Sequence, residues 1–402
     1  MEEVPQVQSR RWVVLAAYML AAALTQLYWL NFAAIETFLE ESFHIPAGQV
    51  MWLTLVFPMM QVLLTLPAGL LIDRRGYKFG VGVGVAFTGA FALLRLAAPH
   101  SFVVLLASQI GISVGQPFVL NGVTKLAVSW FPPREEATAV GLGSLALFIG
   151  MMVALGATPW LVHGVGFETM LMIYAAAGLI GTATFFVLTP SNPPSPARPG
   201  QEEEEAYGLS GLKRLLKQRD FLLLGFIALV GIGVFNALAT WLEKILTELH
   251  GISMTDAGTI SAVLVFAGML GCLVIPIVSD RIGRRRPFVL MTSAIGAACT
   301  LVLMLAGGFT VQMINGALLG FFLISALPIL LTLSEEIAGP RAAGVSVGYL
   351  QMLGNGAAVV LVASTERLEQ AFGGFEVPLG LLAFLLLVAL VLTLALREPA
   401  RR

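Results

Sequence analysis

The chain has 402 residues, of which 57% are apolar and 12% charged, and its mean hydropathy is +0.88. A soluble enzyme carries about 25% charged residues, so this composition excludes a nucleic-acid binder, a disordered protein and an ordinary cytosolic enzyme. The 23 Lys and Arg nearly balance the 24 Asp and Glu, giving a net charge of −1, and any electrostatic message must lie in where the charges sit.

Crossing about 30 Å of hydrocarbon takes roughly 20 helical residues. In chain order, apolar runs of that kind recur at 12–36, 49–71, 79–98, 101–127, 136–162, 168–189, 220–245, 256–279, 287–306, 310–334, 342–365 and 376–396. Inside lipid each segment must satisfy its own backbone, so these runs are predicted as helices. The expected fold is an all-α polytopic membrane protein with 12 transmembrane helices in two six-helix bundles, at 1–189 and 220–402. Between them, residues 190–219 contain NPPSPARPG and the run Glu202 to Glu205, a solvated linker by composition. The first run follows Arg10 and Arg11 and exceeds a signal-peptide core, so it is expected to remain as the first span.

Basic residues set the orientation. With the N-terminus inside, the inner loops and termini carry all the Lys and Arg except Arg95, Lys244 and Arg367. A cell-membrane protein with both termini cytoplasmic is expected. The opposite side holds Glu36, Glu40, Glu41, Glu168, Glu243, Glu248, Asp256, Glu366, Glu369 and Glu376. That excess either draws cations to an outer mouth or simply reflects the avoidance of Lys and Arg in translocated loops.

The two halves repeat. An offset of 207 aligns Leu70–Lys78 (LLIDRRGYK) with Ile277–Arg285 (IVSDRIGRR) without a gap, and later pairs Pro133, Arg134 and Gly141 with Pro340, Arg341 and Gly348. Gly69-Leu-Leu-Ile-Asp73-Arg74-Arg75-Gly76-Tyr-Lys78, with its echo at Asp280 and Arg281, resembles the loop signature of the major facilitator superfamily over essentially the whole chain. The resemblance implies a transporter whose two bundles expose a midplane site to one side at a time. It also implies a cytoplasmic gate built from Asp73, Arg74, Asp280, Arg281, Arg134 and Arg341, in which each loop aspartate approaches the helix start of the other half, a favourable place for a carboxylate. The same residues can instead be read as positive-inside topology signals.

A buried amide in lipid needs a partner or a cavity. Trp29 and Asn31 in the first run, Gln61 in the second, Gln116 and Asn121 in the fourth, Phe235 and Asn236 in the seventh, and Gln351 and Asn355 in the eleventh are the candidate substrate-binding residues. Each alone could equally be an interhelical hydrogen bond. No formal charge lies near a segment centre, which disfavours an anionic substrate. Rings and amide oxygens suit a cation whose charge is spread over methyl groups.

Three stretches carry a closer resemblance: Val50-Met51-Trp52 through Gly76, Gly115-Gln116-Pro117-Phe118 through Trp130-Phe131, and Glu336 through Pro340, Gly344, Gly348 and Asn355. They are similar to the feline leukaemia virus subgroup C receptor-related branch, associated with choline and ethanolamine transport and with proposed haem export. The resemblance implies that Trp29 and Gln116 line a choline site. Phe235 falls where that branch has Tyr, and Asn355 where it has Gln, so one hydroxyl is lost and one amide shortened. The expected function is transport of a small, choline-like organic cation by alternating access. The alternatives are a proton-coupled exporter of amphipathic compounds and a haem or other metabolite exporter.

No enzymatic chemistry is predicted. Cys272 and Cys299 lie in apolar runs and read as core residues. His44, His100, His163 and His250 sit at segment ends without metal-ligand spacing, and Gly80, Gly82 and Gly84 follow no strand. No cofactor and no metal are expected. The expected partners are a small-molecule substrate and the lipid bilayer, with no nucleic acid and the chain a monomer.

Overall fold

A computed structural model describes residues 5–44, 46–190, 213–338 and 343–397. They fold as helices and connecting turns, divided into two compact units at Gln201 and Glu202. Most of the linker predicted at 190–219 lies outside the described residues. Among the described residues, twelve helical stretches are long and apolar enough to cross a membrane, six in each unit, and the protein is a multi-pass membrane protein.

In the first unit the helices are α1 (Pro5–Leu30), α2 (Glu36–Phe43), α3 (Ala47–Arg75), α4 (Tyr77–Leu94), α5 (Phe102–Leu120), α6 (Gly122–Trp130), α7 (Pro133–Val165) and α8 (Phe167–Leu188). In the second they are α9 (Arg219–His250), α10 (Met254–Ile282), α11 (Arg286–Leu305), α12 (Phe309–Ala338), α13 (Ala343–Phe372) and α14 (Glu376–Ala395).

The sequence repeat reappears in how each unit packs. In the first, α1 lies on α7, α3 on α5, and α4 on both α5 and α8; in the second, α9 lies on α13, α10 on α12, and α11 on both α12 and α14. In span order, both units pair first with fifth, second with fourth, third with fourth and third with sixth. The repeated D-R-x-G loops also have a shared backbone reason. Gly76 and Gly283 end α3 and α10 at φ +82° and +77°, where a side chain would be strained.

Lipid gives no hydrophobic drive for one helix to pack on another, so close approach relies on small residues. A Cβ on Gly84 or Gly115 would run into the other's carbonyl across α4 and α5. In the second unit, Gly320 of α12 lies against the Leu264 carbonyl and Gly271 of α10 against that of Phe321. Large side chains such as Leu66, Val187, Leu305 and Val391 are exposed, as suits a surface solvated by acyl chains.

Two segments read as continuous are broken. The run predicted at 12–36 ends as α-helix at Leu30, passes through a turn and a 3-10 stretch at Ala33–Ile35, and resumes as α2. The run predicted at 101–127 is interrupted at Asn121, between α5 and α6. Pro117 lacks an N–H, and the pair Asn121-Gly122 consists of weak helix formers. Hydropathy shows neither break, because an apolar run stays apolar through a kink.

Candidate functional site

The end of α1 gathers several buried polar groups. Tyr28, Trp29 and Asn31 are 0%, 9% and 0% exposed. A helix leaves its last carbonyls without partners, and here a side chain from another span supplies one. Gln109 of α5 donates to the carbonyls of Tyr28 (3.1 Å) and Leu53 (2.7 Å), bridging α1 and α3. The Tyr28 hydroxyl donates to the Tyr174 carbonyl on α8, and the Tyr174 hydroxyl meets that of Thr158 on α7 at 2.8 Å. Five helices therefore fix one turn of backbone.

Arg95, just past α4, completes this node. It is fully buried; its Nη2 donates to the Gln109 side-chain oxygen, and its guanidinium lies 4.7 Å from the Tyr28 ring and 4.9 Å from the Phe32 ring. Both rings present negative faces to the cation, which offsets part of the cost of its burial. Arg95 and Gln109 were not among the residues predicted for the site. The signal was present, since an intramembrane cation and a third polar amide in the fourth run are both costly unless partnered.

The predicted binding residues divide by what their polar atoms do. In the first unit, Trp29 Nε1, both amide atoms of Asn31 and Oε1 of Gln61 are buried with no hydrogen-bond partner among the described residues. Gln116 is 4% exposed on α5. Asn121 is engaged: its amide donates to the Thr65 carbonyl at 2.8 Å, tying the α5–α6 break to α3. In the second unit, Asn236 donates to the Ile232 carbonyl of its own helix and its Oδ1 has no partner among the described residues; Asn355 donates to the Gln351 carbonyl of its own helix. Phe235, Gln351 and Asn355 are half-buried.

Of the predicted gate residues, Arg74 and Arg281 are exposed. The side chains of Asp73 and Arg134, and all of Arg341, lie outside the described residues. Asp280 forms an ion pair with Arg285 at 2.6 Å. Arg285 is only 7% exposed, and it also reaches Glu336 of α12 at 3.2 Å and Ser279 Oγ at 3.3 Å. The signature loop of the second unit is thus clamped to the end of α12. Arg285 and Glu336 were not predicted as gate residues, although Arg285 is the repeat partner of Lys78.

A sequence profile of the Major Facilitator Superfamily matches residues 12–362. The human choline/ethanolamine transporter FLVCR2 is 26% identical, over 99% of this chain and 79% of its own. The mouse choline/ethanolamine transporter FLVCR1 is 26% identical, over 98% of this chain and 76% of its own. Among solved structures, a bacterial homologue of the human lysosomal transporter Spinster, crystallised inward-facing and unoccupied, superposes with a TM-score of 0.74 at 18% identity, covering 96% of this chain and 97% of that one.

Proposed function

We propose that this chain, which belongs to the major facilitator superfamily, carries a small choline-like organic cation across the cell membrane by alternating access between its two six-helix units. The observation that carries this reading is the set of buried polar atoms at Trp29, Asn31 and Gln61 that have no hydrogen-bond partner among the described residues. A buried polar group without a partner costs about 1–3 kcal/mol, and a ligand that supplies the missing contacts accounts for its presence. None of these side chains carries a formal charge. An indole face attracts a methylated ammonium by about 2 kcal/mol when water is excluded, and amide oxygens accept from an ammonium N–H or an alcohol. The printed names of the FLVCR1 and FLVCR2 relatives support the same class of substrate.

The test is uptake of labelled choline and ethanolamine into proteoliposomes. Trp29→Ala and Gln116→Ala should each raise KM at least tenfold while the purified variants stay folded, and Trp29→Phe should retain most of the affinity. Normal uptake by both alanine variants would dismiss the site.

A proton-coupled exporter is the second reading. It is favoured by Glu36, Glu243 and Glu366, which are 1%, 2% and 7% exposed near span ends. Transport that stops when a pH gradient is collapsed, with choline present on both sides, would select it. The excess of Lys and Arg in the inner loops supports cytoplasmic termini, which labelling of terminal cysteines from each side of the membrane would check.

A further inference from the structure

We propose that the start of α9 and the end of α14 form a binding groove for an anionic phospholipid, separate from the transport site. The groove has a volume of about 430 Å³ and is lined by Lys217, Arg219, Leu222, Leu223, Phe226 and Leu392. Its two ends differ in chemistry: the cations lie where the chain enters the span, and the rest is apolar. Leu222 and Phe226 are 48% and 38% exposed, so the apolar part opens to the membrane side.

The placement fits a headgroup and an acyl chain at once. With 32 residues, α9 is about 48 Å long at 1.5 Å per residue, well beyond the hydrocarbon thickness, so its first turns stand at headgroup depth. Lys213, Arg214, Lys217 and Arg219 are all exposed within seven residues of chain. Such a juxtamembrane cluster attracts acidic lipid. No ion pair or hydrogen bond engages the Lys217 or Arg219 side chain among the described residues. The Asp220 carboxylate accepts from the backbone N–H of Arg397 at 3.3 Å, which ties the two helix ends together.

A lipid phosphate would sit against Lys217 and Arg219, with one acyl chain along Leu222, Phe226 and Leu392.

The experiment is native mass spectrometry of the full chain titrated with phosphatidylglycerol and with phosphatidylcholine of the same chain length. Phosphatidylglycerol should be retained about tenfold more strongly. Lys217→Gln/Arg219→Gln should remove that preference, while Lys213→Gln/Arg214→Gln, outside the groove, should lower it less than threefold. Phe226→Ala should weaken long-chain more than short-chain phosphatidylglycerol. Circular dichroism and gel filtration verify folding. Equal retention of the two lipids, equal loss in both double variants, or displacement of the lipid by millimolar inorganic phosphate would each overturn the proposal.

Discussion

The Gln109 side chain donates to the carbonyl of Tyr28 at 3.1 Å, so a residue 81 positions away holds the turn that presents Trp29. The same amide bridges to Leu53 on α3 and accepts from Arg95. The break in the first span is therefore a held conformation, with its loose carbonyl satisfied and its ring neighbours stacked on a buried cation.

Gln109→Leu should be costly. It strips partners from two buried carbonyls and from Arg95, and each orphaned group costs about 1–3 kcal/mol. A loss of at least 3 kcal/mol is expected, read as a fall in the thermal midpoint of purified protein. In whatever fraction folds, tryptophan emission should shift as Trp29 loses its fixed surroundings. Unchanged stability would mean that the Gln109 contacts do not hold the turn.

Asn31→Leu should do the opposite. Asn31 is fully buried with neither amide atom partnered among the described residues, so an apolar side chain of the same branching removes a desolvation penalty. Stability should hold or rise by about 1 kcal/mol while uptake falls, the trade-off of a site kept for binding. A destabilised variant with normal uptake would place Asn31 among the purely structural residues.

Arg285→Gln should weaken the end of the second unit by about 1 kcal/mol. The figure is modest because the Asp280 and Glu336 side chains are 60% and 29% exposed, so water takes over part of their solvation. The difference from wild type should narrow in high salt. A double-mutant cycle with Glu336→Gln reads the coupling directly, and a coupling of zero would remove the clamp.

Asp73→Asn tests the proposed cytoplasmic gate. If its carboxylate helps hold that side closed, single cysteines in the inner cavity should label faster in the variant. Labelling rates equal to wild type would leave the signature as a topology signal.

The spans, their repeat, the superfamily and the polar character of the central residues were legible in the amino-acid sequence because each depends on local information. A hydrocarbon layer demands an unbroken apolar run, and a loop that must turn sharply demands glycine at Gly76 and Gly283, whatever the rest of the chain does. Which amides bind and which brace was a different matter. Asn121 and Gln109 are equally intramembrane amides on paper, yet one ties α5 to α3 and the other holds α1, while neither amide atom of Asn31 is engaged among the described residues. Hydrogen bonds between residues 56 to 101 positions apart, such as Asn121 with Thr65 and Tyr18 with Val119, have no trace in hydropathy. Only packing of the spans decides which partners come within reach, and so only the tertiary structure separated the bracing side chains from those whose polar atoms have no partner among the described residues.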